Sequence, residues 1–326
     1  MIFRYKTNLR RVVCLEIIGK CGLNCAHCSS NSSIENNDYL SLDQIKKVIV
    51  ETSELGYNEL SLSGGDPFLH PHLIDLISYA KEHNFYVIAY SSGNILDGNK
   101  LVPISKNFFK KIDKAGLDKI VFSIHGLSKQ IHEQITQIKN SYENLLITLE
   151  NSLNGYQFEK EVNFVFMKNN SVELFDIIPF LKLYQIKNLH LLKYVAHGRA
   201  KENRKKYEIN DIELKDIVLR FISQKIDKIG ISLSSSLPML KDDDRINCRA
   251  GVDKICITPT GYVYPCVAMK NFEGFNDFNN INQNSIEKII HESRIFKFIN
   301  ILHNSSNHLQ CHLNCPAQKI IKEQMI

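Results

Sequence analysis

The stretch "VVCLEII", Val12–Ile18, is a short apolar run rich in β-branched residues, which is the composition of a buried strand. It passes directly into "GKCGLNCAHC", Gly19–Cys28, a loop that carries three cysteines within eight residues. Short apolar runs of the first kind then alternate with longer amphipathic stretches up to about residue 229. The first strand and its loop therefore begin a repeating β/α pattern.

The alternation predicts six strands and six helices. The predicted strands are Val12–Ile18, Glu59–Ser63, Tyr86–Ser92, Lys119–Ser123, Glu161–Met167 and Asn188–Val195. The predicted helices are Leu42–Leu55, Leu73–His83, Lys106–Ala115, Tyr142–Leu153, Val172–Gln185 and Asp211–Lys228, with Ser41 and Ser171 as N-cap candidates. Consecutive β/α units imply right-handed crossovers and a parallel sheet, so we predict an α/β fold, either a doubly wound sheet or a partial barrel.

Composition limits the functional classes. The chain has 326 residues, of which 44% are hydrophobic and 23% charged, as in a globular protein. Near the N-terminus, Arg10, Arg11 and Glu16 interrupt the apolar runs, so no signal peptide or membrane span is predicted and we expect a cytoplasmic protein. The formal charge of +5 is mild and the lysines are scattered, so we expect neither a nucleic-acid nor a membrane partner.

The nine cysteines are bunched toward the two ends of the chain, which favours metal ligation over disulfides in a reducing compartment. Cys14 lies within the first strand and is predicted to be a buried small hydrophobe. The loops Gly19–Cys28, Ser63–Pro67 and Ser91–Asn94 each follow one of the first three strands. Because ligands bind at the carboxyl ends of parallel strands, the three loops are expected to form one site.

Thiolate ligands select zinc or iron–sulfur clusters. A structural zinc site takes four protein ligands, and His27 could complete one only by turning toward the same centre as its neighbour Cys28. A [4Fe-4S] cluster held by three cysteines instead leaves one iron open to another ligand. The missing fourth cysteine therefore favours a cluster with an open iron.

The spacing Cys21-x3-Cys25-x2-Cys28 after the first strand resembles the signature of the radical S-adenosylmethionine (radical SAM) superfamily. The resemblance implies a partial (β/α)6 TIM-like barrel. It also implies that the three thiolates hold a [4Fe-4S] cluster whose open iron chelates S-adenosylmethionine. His27 stands where the family usually has an aromatic residue near the adenine.

Other segments resemble the family's S-adenosylmethionine contacts. "LSGGDP", Leu62–Pro67, is similar to its Gly-Gly-Glu motif, and "AYSSGN" and "FSIHG" match the ends of its third and fourth strands. Many relatives carry an arginine near Thr136 that grips the methionine carboxylate, and Arg199 in "HGRA" is a substitute candidate. The binding residues that the resemblance implies are His27, Gly64, Gly65, Asp66, Ser91, Ser92, Ser123 and Arg199.

The β/α rhythm stops after "GISLSSSLP", Gly230–Pro238, so we predict a core over residues 1–229 and a small cysteine-rich domain over residues 230–326. The segments Cys248–Cys266 and "CHLNC", Cys311–Cys315, resemble the SPASM domain and its shorter twitch variant, which bind auxiliary iron–sulfur clusters. The resemblance implies one auxiliary [4Fe-4S] cluster held by Cys248, Cys266, Cys311 and Cys315. Zinc in the same four cysteines is the alternative, and Cys256, between two isoleucines, is expected in the core.

The resemblance implies reductive cleavage of S-adenosylmethionine to a 5′-deoxyadenosyl radical, which abstracts a substrate hydrogen. We expect a flavodoxin- or ferredoxin-type electron donor and a ribosomally synthesised peptide substrate that undergoes crosslinking, epimerisation or oxidation. About 20 residues precede the cysteine trio, so we expect no fused leader-binding domain but a separate recognition protein or direct binding. The alternatives are radical chemistry on a small molecule, a haem precursor or sugar, and a non-catalytic iron–sulfur or zinc-binding interaction protein.

Overall fold

The strands among the described residues form one large sheet and one separate hairpin. The computed structural model describes residues 10–224, 228–234, 237, 249–270 and 278–304. In chain order its strands are β1 (Val12–Ile18), β2 (Glu59–Gly64), β3 (Tyr86–Ser91), β4 (Asn94–Asp97), β5 (Lys100–Pro103), β6 (Lys119–Ser123), β7 (Glu159–Val165), β8 (Asn188–Leu192), β9 (Gly230–Leu233), β10 (Lys254–Ile257) and β11 (Val263–Tyr264).

The large sheet has the order β11-β10-β1-β2-β3-β6-β7-β8-β9, and β4 pairs with β5 outside it. Its neighbouring strands run parallel from β10 to β9, while β10 and β11 are antiparallel. In the described part of the chain, β9 and β11 stand at opposite edges, so the sheet is open rather than closed on itself. The predicted α/β fold with a partial, TIM-like barrel is confirmed.

Helices cross over between the parallel strands, as parallel pairing requires. In chain order they are α1 (Leu42–Glu54), α2 (Leu73–Glu82), α3 (Lys106–Lys114), α4 (Lys129–Thr136), α5 (Ser141–Asn151), α6 (Ile177–Leu183), α7 (Arg199–Glu202), α8 (Arg204–Tyr207), α9 (Asp211–Ile222), α10 (Ile286–Glu292) and α11 (Arg294–Asn304). No helix among the described residues is long and apolar enough to cross a membrane.

The two faces of β1 differ in polarity. Val13, Leu15 and Ile17 are fully buried in the main hydrophobic core, to which the buried residues of α1 also belong. The alternate positions Cys14 and Glu16 point to the opposite face, because side chains alternate along a strand. Cys14 is therefore only partly buried, whereas the sequence predicted a buried residue.

Several predicted elements differ from the observed ones at their ends. The predicted strand Glu161–Met167 begins two residues earlier as β7, and the predicted helix Asp211–Lys228 ends at Ile222 as α9. The predicted helix Val172–Gln185 begins as a 3₁₀ helix, Ser171–Asp176, before α6. Because this helix begins at Ser171, its N-cap is Asn170 rather than Ser171. The Asn170 side chain makes no capping bond, and its Oδ1 instead accepts from the Met167 N–H at 2.8 Å.

The C-terminal segment extends the core sheet at both ends. β9 begins at Gly230 and pairs with β8, and β10 pairs with β1 on its free side, with Cys256 beside Cys14 in register. Cys256 is fully buried, as its apolar neighbours indicated. The division at residue 229 stays a prediction, since strands from the C-terminal segment lie in the same sheet as the core strands.

The N-terminus of α1 carries a capping box. The Ser41 hydroxyl accepts from the Gln44 N–H at 3.2 Å, and the Gln44 side chain accepts from the Ser41 N–H at 2.8 Å. We expect Ser41→Ala to lower the free energy of unfolding by about 1 kcal/mol, because a backbone donor loses its partner. Urea unfolding followed by circular dichroism measures this, with Ser41→Asn as the matched control that retains a side-chain acceptor. Equal midpoints for the alanine variant and the wild type would contradict the role of the cap.

Candidate functional site

The cysteine loop after β1 is anchored through its backbone. The Cys21 N–H donates to the Ser33 carbonyl at 3.0 Å, and the Ala26 N–H donates to the Ile135 carbonyl at the end of α4 at 2.8 Å. The Cys28 N–H donates to the Cys25 carbonyl at 3.1 Å, which closes a turn between the last two cysteines. These bonds fix the loop without using the thiol groups, which stay available as ligands.

Arg199 ties the loop to the segment after β8. Its Nε donates to the Cys25 carbonyl at 3.1 Å and its Nη2 donates to the Ser32 carbonyl at 2.7 Å. Asn203 adds a bond from Nδ2 to the Ala26 carbonyl at 3.1 Å. Sequence analysis predicted that Arg199 grips a carboxylate, and the structure shows that two of its donors hold the cysteine loop. A carboxylate contact stays a prediction.

The electrostatics of the three thiols fit a positively charged cluster. Burial raises the pKa of Cys21 to about 12, and the Asp66 carboxylate adds to this rise. Burial also raises the pKa of Cys25 well above its usual value, and charges on Cys21 and Cys28 add to it, while Arg199 opposes the rise. Three thiolates would repel one another in this loop, so cationic iron in contact with them would be needed to keep them ionised.

A single ion does not fit the same side chains. Within the described ranges, no group of three or more His, Cys, Asp or Glu side chains is arranged to hold one metal ion. In a [4Fe-4S] cluster each thiolate binds a different iron, so the sulfur atoms need not converge on one point. The donor set of three soft ligands therefore fits the cluster, and the assignment of Cys21, Cys25 and Cys28 to it stays a prediction.

The glycines after β2 let two backbones meet. The Gly65 N–H donates to the Ile18 carbonyl at 2.6 Å, and the Asp66 N–H donates to the Lys20 carbonyl at 2.9 Å. A Cβ at Gly64 would lie 2.1 Å from the Ile18 oxygen, and one at Gly65 would lie 2.0 Å from the Lys20 oxygen. Gly64 also has a φ of +132°, which side chains rarely adopt. The loop after β2 thus packs directly on the start of the cysteine loop.

Asp66 joins the second loop to the third. Its Oδ1 accepts from the Phe68 N–H at 3.1 Å, while Oδ2 accepts from the Ser91 hydroxyl at 2.9 Å and from both the N–H and the hydroxyl of Ser92 at 3.0 Å. Burial raises the pKa of this carboxyl to about 6 despite these bonds. The carboxylate faces Ser91 and Ser92, so the contact with S-adenosylmethionine predicted for Asp66 stays a prediction.

His27 belongs to a buried aromatic row that sequence analysis did not identify. Its ring lies 4.5 Å from the ring of His125, which lies 5.5 Å from the ring of His132. Burial lowers the pKa of His27 to about 4, and the Arg199 charge lowers it further, so the ring is neutral near pH 7. The Nδ1 atoms of His27 and His125 have no hydrogen-bond partner among the described residues. The ring at position 27 is therefore neutral and meets His125 edge to face, and its place near an adenine stays a prediction.

For the remaining predicted site residues, the structure gives the position of some and does not describe others. Ser123 is the last residue of β6, and its neighbour in register is Asn163 of β7. Cys266 is partly buried directly before the 3₁₀ turn Val267–Met269. Cys248, Cys311 and Cys315 lie outside the described residues, so the auxiliary set stays a prediction.

Comparison with known families gives two matches along the chain. Residues 15–173 match the radical SAM superfamily, and residues 248–316 match SPASM, an iron–sulfur cluster-binding domain. The first match begins within β1 and includes the cysteine loop and the loops after β2 and β3. The second includes all four cysteines predicted to hold an auxiliary cluster.

Individual relatives differ in what they act on. The AdoMet-dependent heme synthase of Methanosarcina barkeri is 24% identical over 312 residues, which cover 89% of this chain and 85% of that protein. The PqqA peptide cyclase of Rhizobium meliloti is 24% identical over 290 residues, which cover 86% of this chain and 73% of that protein. Streptococcus suis SuiB, bound to its precursor peptide SuiA, has a TM-score of 0.71 at 14% identity, and the match covers 89% of this chain and 66% of the SuiB chain. At that identity the likeness to SuiB concerns the fold.

We expect Gly65→Ala to abolish iron loading, because the new methyl group would meet backbone that cannot move without displacing the cysteine loop. Gly98→Asn is the control, since a Cβ there meets nothing within 4 Å and asparagine tolerates the left-handed φ of +60°. Iron analysis and the visible absorption of anaerobically reconstituted protein measure the difference. Full iron loading of the Gly65 variant would show that the close approach of the two loops is not required.

Proposed function

Because the chain belongs to the radical SAM superfamily and carries a SPASM domain, we propose that it is a peptide-modifying radical SAM enzyme. Membership implies a [4Fe-4S] cluster, S-adenosylmethionine and an auxiliary iron–sulfur cluster. We propose Cys21, Cys25 and Cys28 as ligands of the first cluster. For the auxiliary cluster we propose the four C-terminal cysteines named above. The observation that carries the proposal is the packing of the three-cysteine loop on the Gly64–Gly65 backbone at the carboxyl edge of the sheet.

When bound and reduced, the first cluster supplies the electron for the cleavage of S-adenosylmethionine. The chain contributes binding and orientation. The close backbone approach at Gly64 and Gly65 leaves this rim free of side chains, and Asp66 holds the Ser91–Ser92 loop beside it. We propose that Ser123 and Arg199 border the same ligand and that His27 packs near its adenine. The neutral rings of the partly buried His27 and the buried His125 would limit the access of water to that end.

Two observations support a peptide substrate. The described sheet is open between β9 and β11, and an open barrel admits an extended chain more easily than a closed one. Among the relatives are a PqqA peptide cyclase and the fold neighbour SuiB, which is bound to a precursor peptide. We propose crosslinking, epimerisation or oxidation of a peptide in the cytoplasm. The expected partners are a flavodoxin- or ferredoxin-type electron donor and a separate leader-recognition protein.

A second candidate function is radical chemistry on a small molecule. The observation that favours it is the match to an AdoMet-dependent heme synthase, which covers 89% of this chain. The two candidates share cofactor and site and differ in the substrate that must fit above the sheet. A short open reading frame beside the gene would favour the peptide, and haem-pathway neighbours would favour the small molecule.

Incubation of the reconstituted, dithionite-reduced protein with S-adenosylmethionine tests the enzyme assignment. We expect 5′-deoxyadenosine and methionine to form, and we expect Cys25→Ala to abolish their formation, because two thiolates cannot hold the cluster with one open iron. Cys14→Ala is the matched control, since Cys14 lies in β1 outside the loop. Chromatography of the quenched mixture measures both products. If the wild type forms no more 5′-deoxyadenosine than the background level of the Cys25 variant, the enzyme assignment is overturned and a non-catalytic binding protein is favoured.

Asp66→Ala should weaken S-adenosylmethionine binding about tenfold while the first cluster stays loaded, because the Ser91 and Ser92 donors lose a shared acceptor and their loop is released. Equilibrium dialysis with labelled S-adenosylmethionine measures the affinity, and iron analysis checks the loading. Asp97→Ala, an exposed aspartate of the β4–β5 hairpin, is the control. If the affinity of the Asp66 variant for S-adenosylmethionine is unchanged, the Leu62–Pro67 motif is a simple turn that takes no part in binding.

A further inference from the structure

A polar cavity of about 260 Å³ lies between the carboxyl end of β1 and the hairpin that joins β10 to β11. Glu16, Ser30 and Ser32 line it from the side of the core, and Thr258 and Lys270 line it from the side of the C-terminal segment. Gly64 also borders it, so the cavity adjoins the rim where the proposed function places S-adenosylmethionine. The sequence motifs do not account for this cavity.

A buried ion pair forms one end of the cavity. The Lys270 ammonium donates to Glu16 Oε1 and to the Ser30 hydroxyl oxygen, both at 2.6 Å, and the Ser30 hydroxyl donates to the same Glu16 oxygen at 3.1 Å. Lys270 is 2% exposed and Glu16 is 6% exposed. Burying two charges is expensive even when they are paired, and an apolar pair would often serve packing as well. The pair therefore calls for a role beyond holding the two segments together.

Unused hydrogen-bonding capacity at the same end points to a ligand. An ammonium group has three donors, and in the described part of the chain Lys270 uses two of them. The Glu16 bonds there all involve Oε1, which leaves Oε2 as an acceptor. Ser32 is 3% exposed, and its hydroxyl has no partner among the described residues. Buried polar groups are ordinarily paired, so a ligand is expected to complete these bonds.

Charge and size limit what that ligand can be. Asp38 also lines the cavity, but it is exposed, and the buried end holds only Glu16 and Lys270 as charged groups. At that end a carboxylate would add an unpaired negative charge beside Glu16, and a cation would add an unpaired positive charge beside Lys270. An amide is neutral and presents an acceptor and a donor together. The cavity is smaller than the roughly 300–1,000 Å³ of pockets for drug-sized molecules, so it suits one residue of a chain rather than a macrocycle.

We propose that this cavity is a substrate subsite for one amide unit of a peptide, in which Lys270 and Ser32 donate to the carbonyl oxygen and Glu16 accepts the amide N–H. The inference deepens the proposed function and rests on it, since it assigns residues that select a peptide over a small molecule. Because Arg199 holds the Ser32 carbonyl at 2.7 Å, the subsite is fixed to the same loop as Cys25 and Cys28. An amide bound there would be positioned relative to the radical site.

Ligand-detected saturation-transfer NMR on the cluster-loaded, full-length protein tests the subsite. The probe is N-acetylglycine N-methylamide, with sodium acetate and tetramethylammonium chloride as separate probes of opposite charge. We expect saturation of the amide probe, with a decrease of about tenfold in Ser32→Ala and in Lys270→Met because donors to the carbonyl are removed. Lys110→Met, a change at an exposed lysine of α3, is the matched control and should keep the wild-type signal.

A second variant covers the case in which Lys270→Met does not fold because Glu16 is left unpaired. The double variant Glu16→Gln/Lys270→Met removes both charges, and it should also lose the amide signal. Equal amide saturation in wild type, Ser32→Ala and the double variant would overturn the subsite. Stronger saturation of acetate or tetramethylammonium, sensitive to the same variants, would overturn the amide assignment.

The S-adenosylmethionine cleavage assay on the same preparations separates this inference from the proposed function. Cleavage in the wild type without variant-sensitive amide saturation would overturn the subsite alone. If the amide probe shows variant-sensitive saturation transfer but S-adenosylmethionine is not cleaved, the enzyme assignment is overturned and the cavity remains a peptide-binding site.

Discussion

The backbone contact between the loops after β1 and β2 is the constraint on which the site depends. The Gly65 N–H reaches the Ile18 carbonyl at 2.6 Å, and a Cβ at Gly65 would lie only 2.0 Å from the Lys20 oxygen, so the contact requires glycine. The contact fixes where the cysteine loop leaves the sheet. It also brings Asp66 to the point from which its carboxylate holds Ser91 and Ser92 of the third loop. Three loops that are far apart in sequence are thereby held as one rim.

The rim brings acidic groups together in a buried place. The thiols of Cys21 and Cys25 and the Asp66 carboxyl all have raised pKa values because burial disfavours their charged forms. Arg199 is the nearby cation that opposes this effect on the thiols, and it reaches the loop through the Cys25 carbonyl. Thiols with raised pKa values keep their protons near pH 7 unless a cationic group replaces the protons, as a bound iron–sulfur cluster would.

Local patterns predicted the elements of the core well. β1 and β6 have the predicted bounds, and α1 begins after the predicted Ser41 cap, because strand composition and capping act within a few residues. The pairing of β10 with β1 had no local signal, since it joins residues about 240 positions apart. The hydrogen-bond partners of Arg199 also could not be predicted from the sequence. Arg199 donates to the backbone carbonyl groups of residues 25 and 32, and every residue type has such a group. The motif thus predicted which loops meet at the rim but not which bonds hold them there.

The pairing of β10 with β1 also explains why Glu16 and Lys270 meet. β10 places the hairpin of the C-terminal segment beside the carboxyl end of β1, and the turn after β11 then carries Lys270 over the inner face, where Glu16 points. A charge at either position alone would be buried without a partner, which is strongly destabilising. The two residues therefore depend on each other across 254 positions of sequence. Because Ser30, two residues after Cys28, shares their hydrogen bonds, a ligand that changed the pair would also act on the segment that directly follows the cysteine loop.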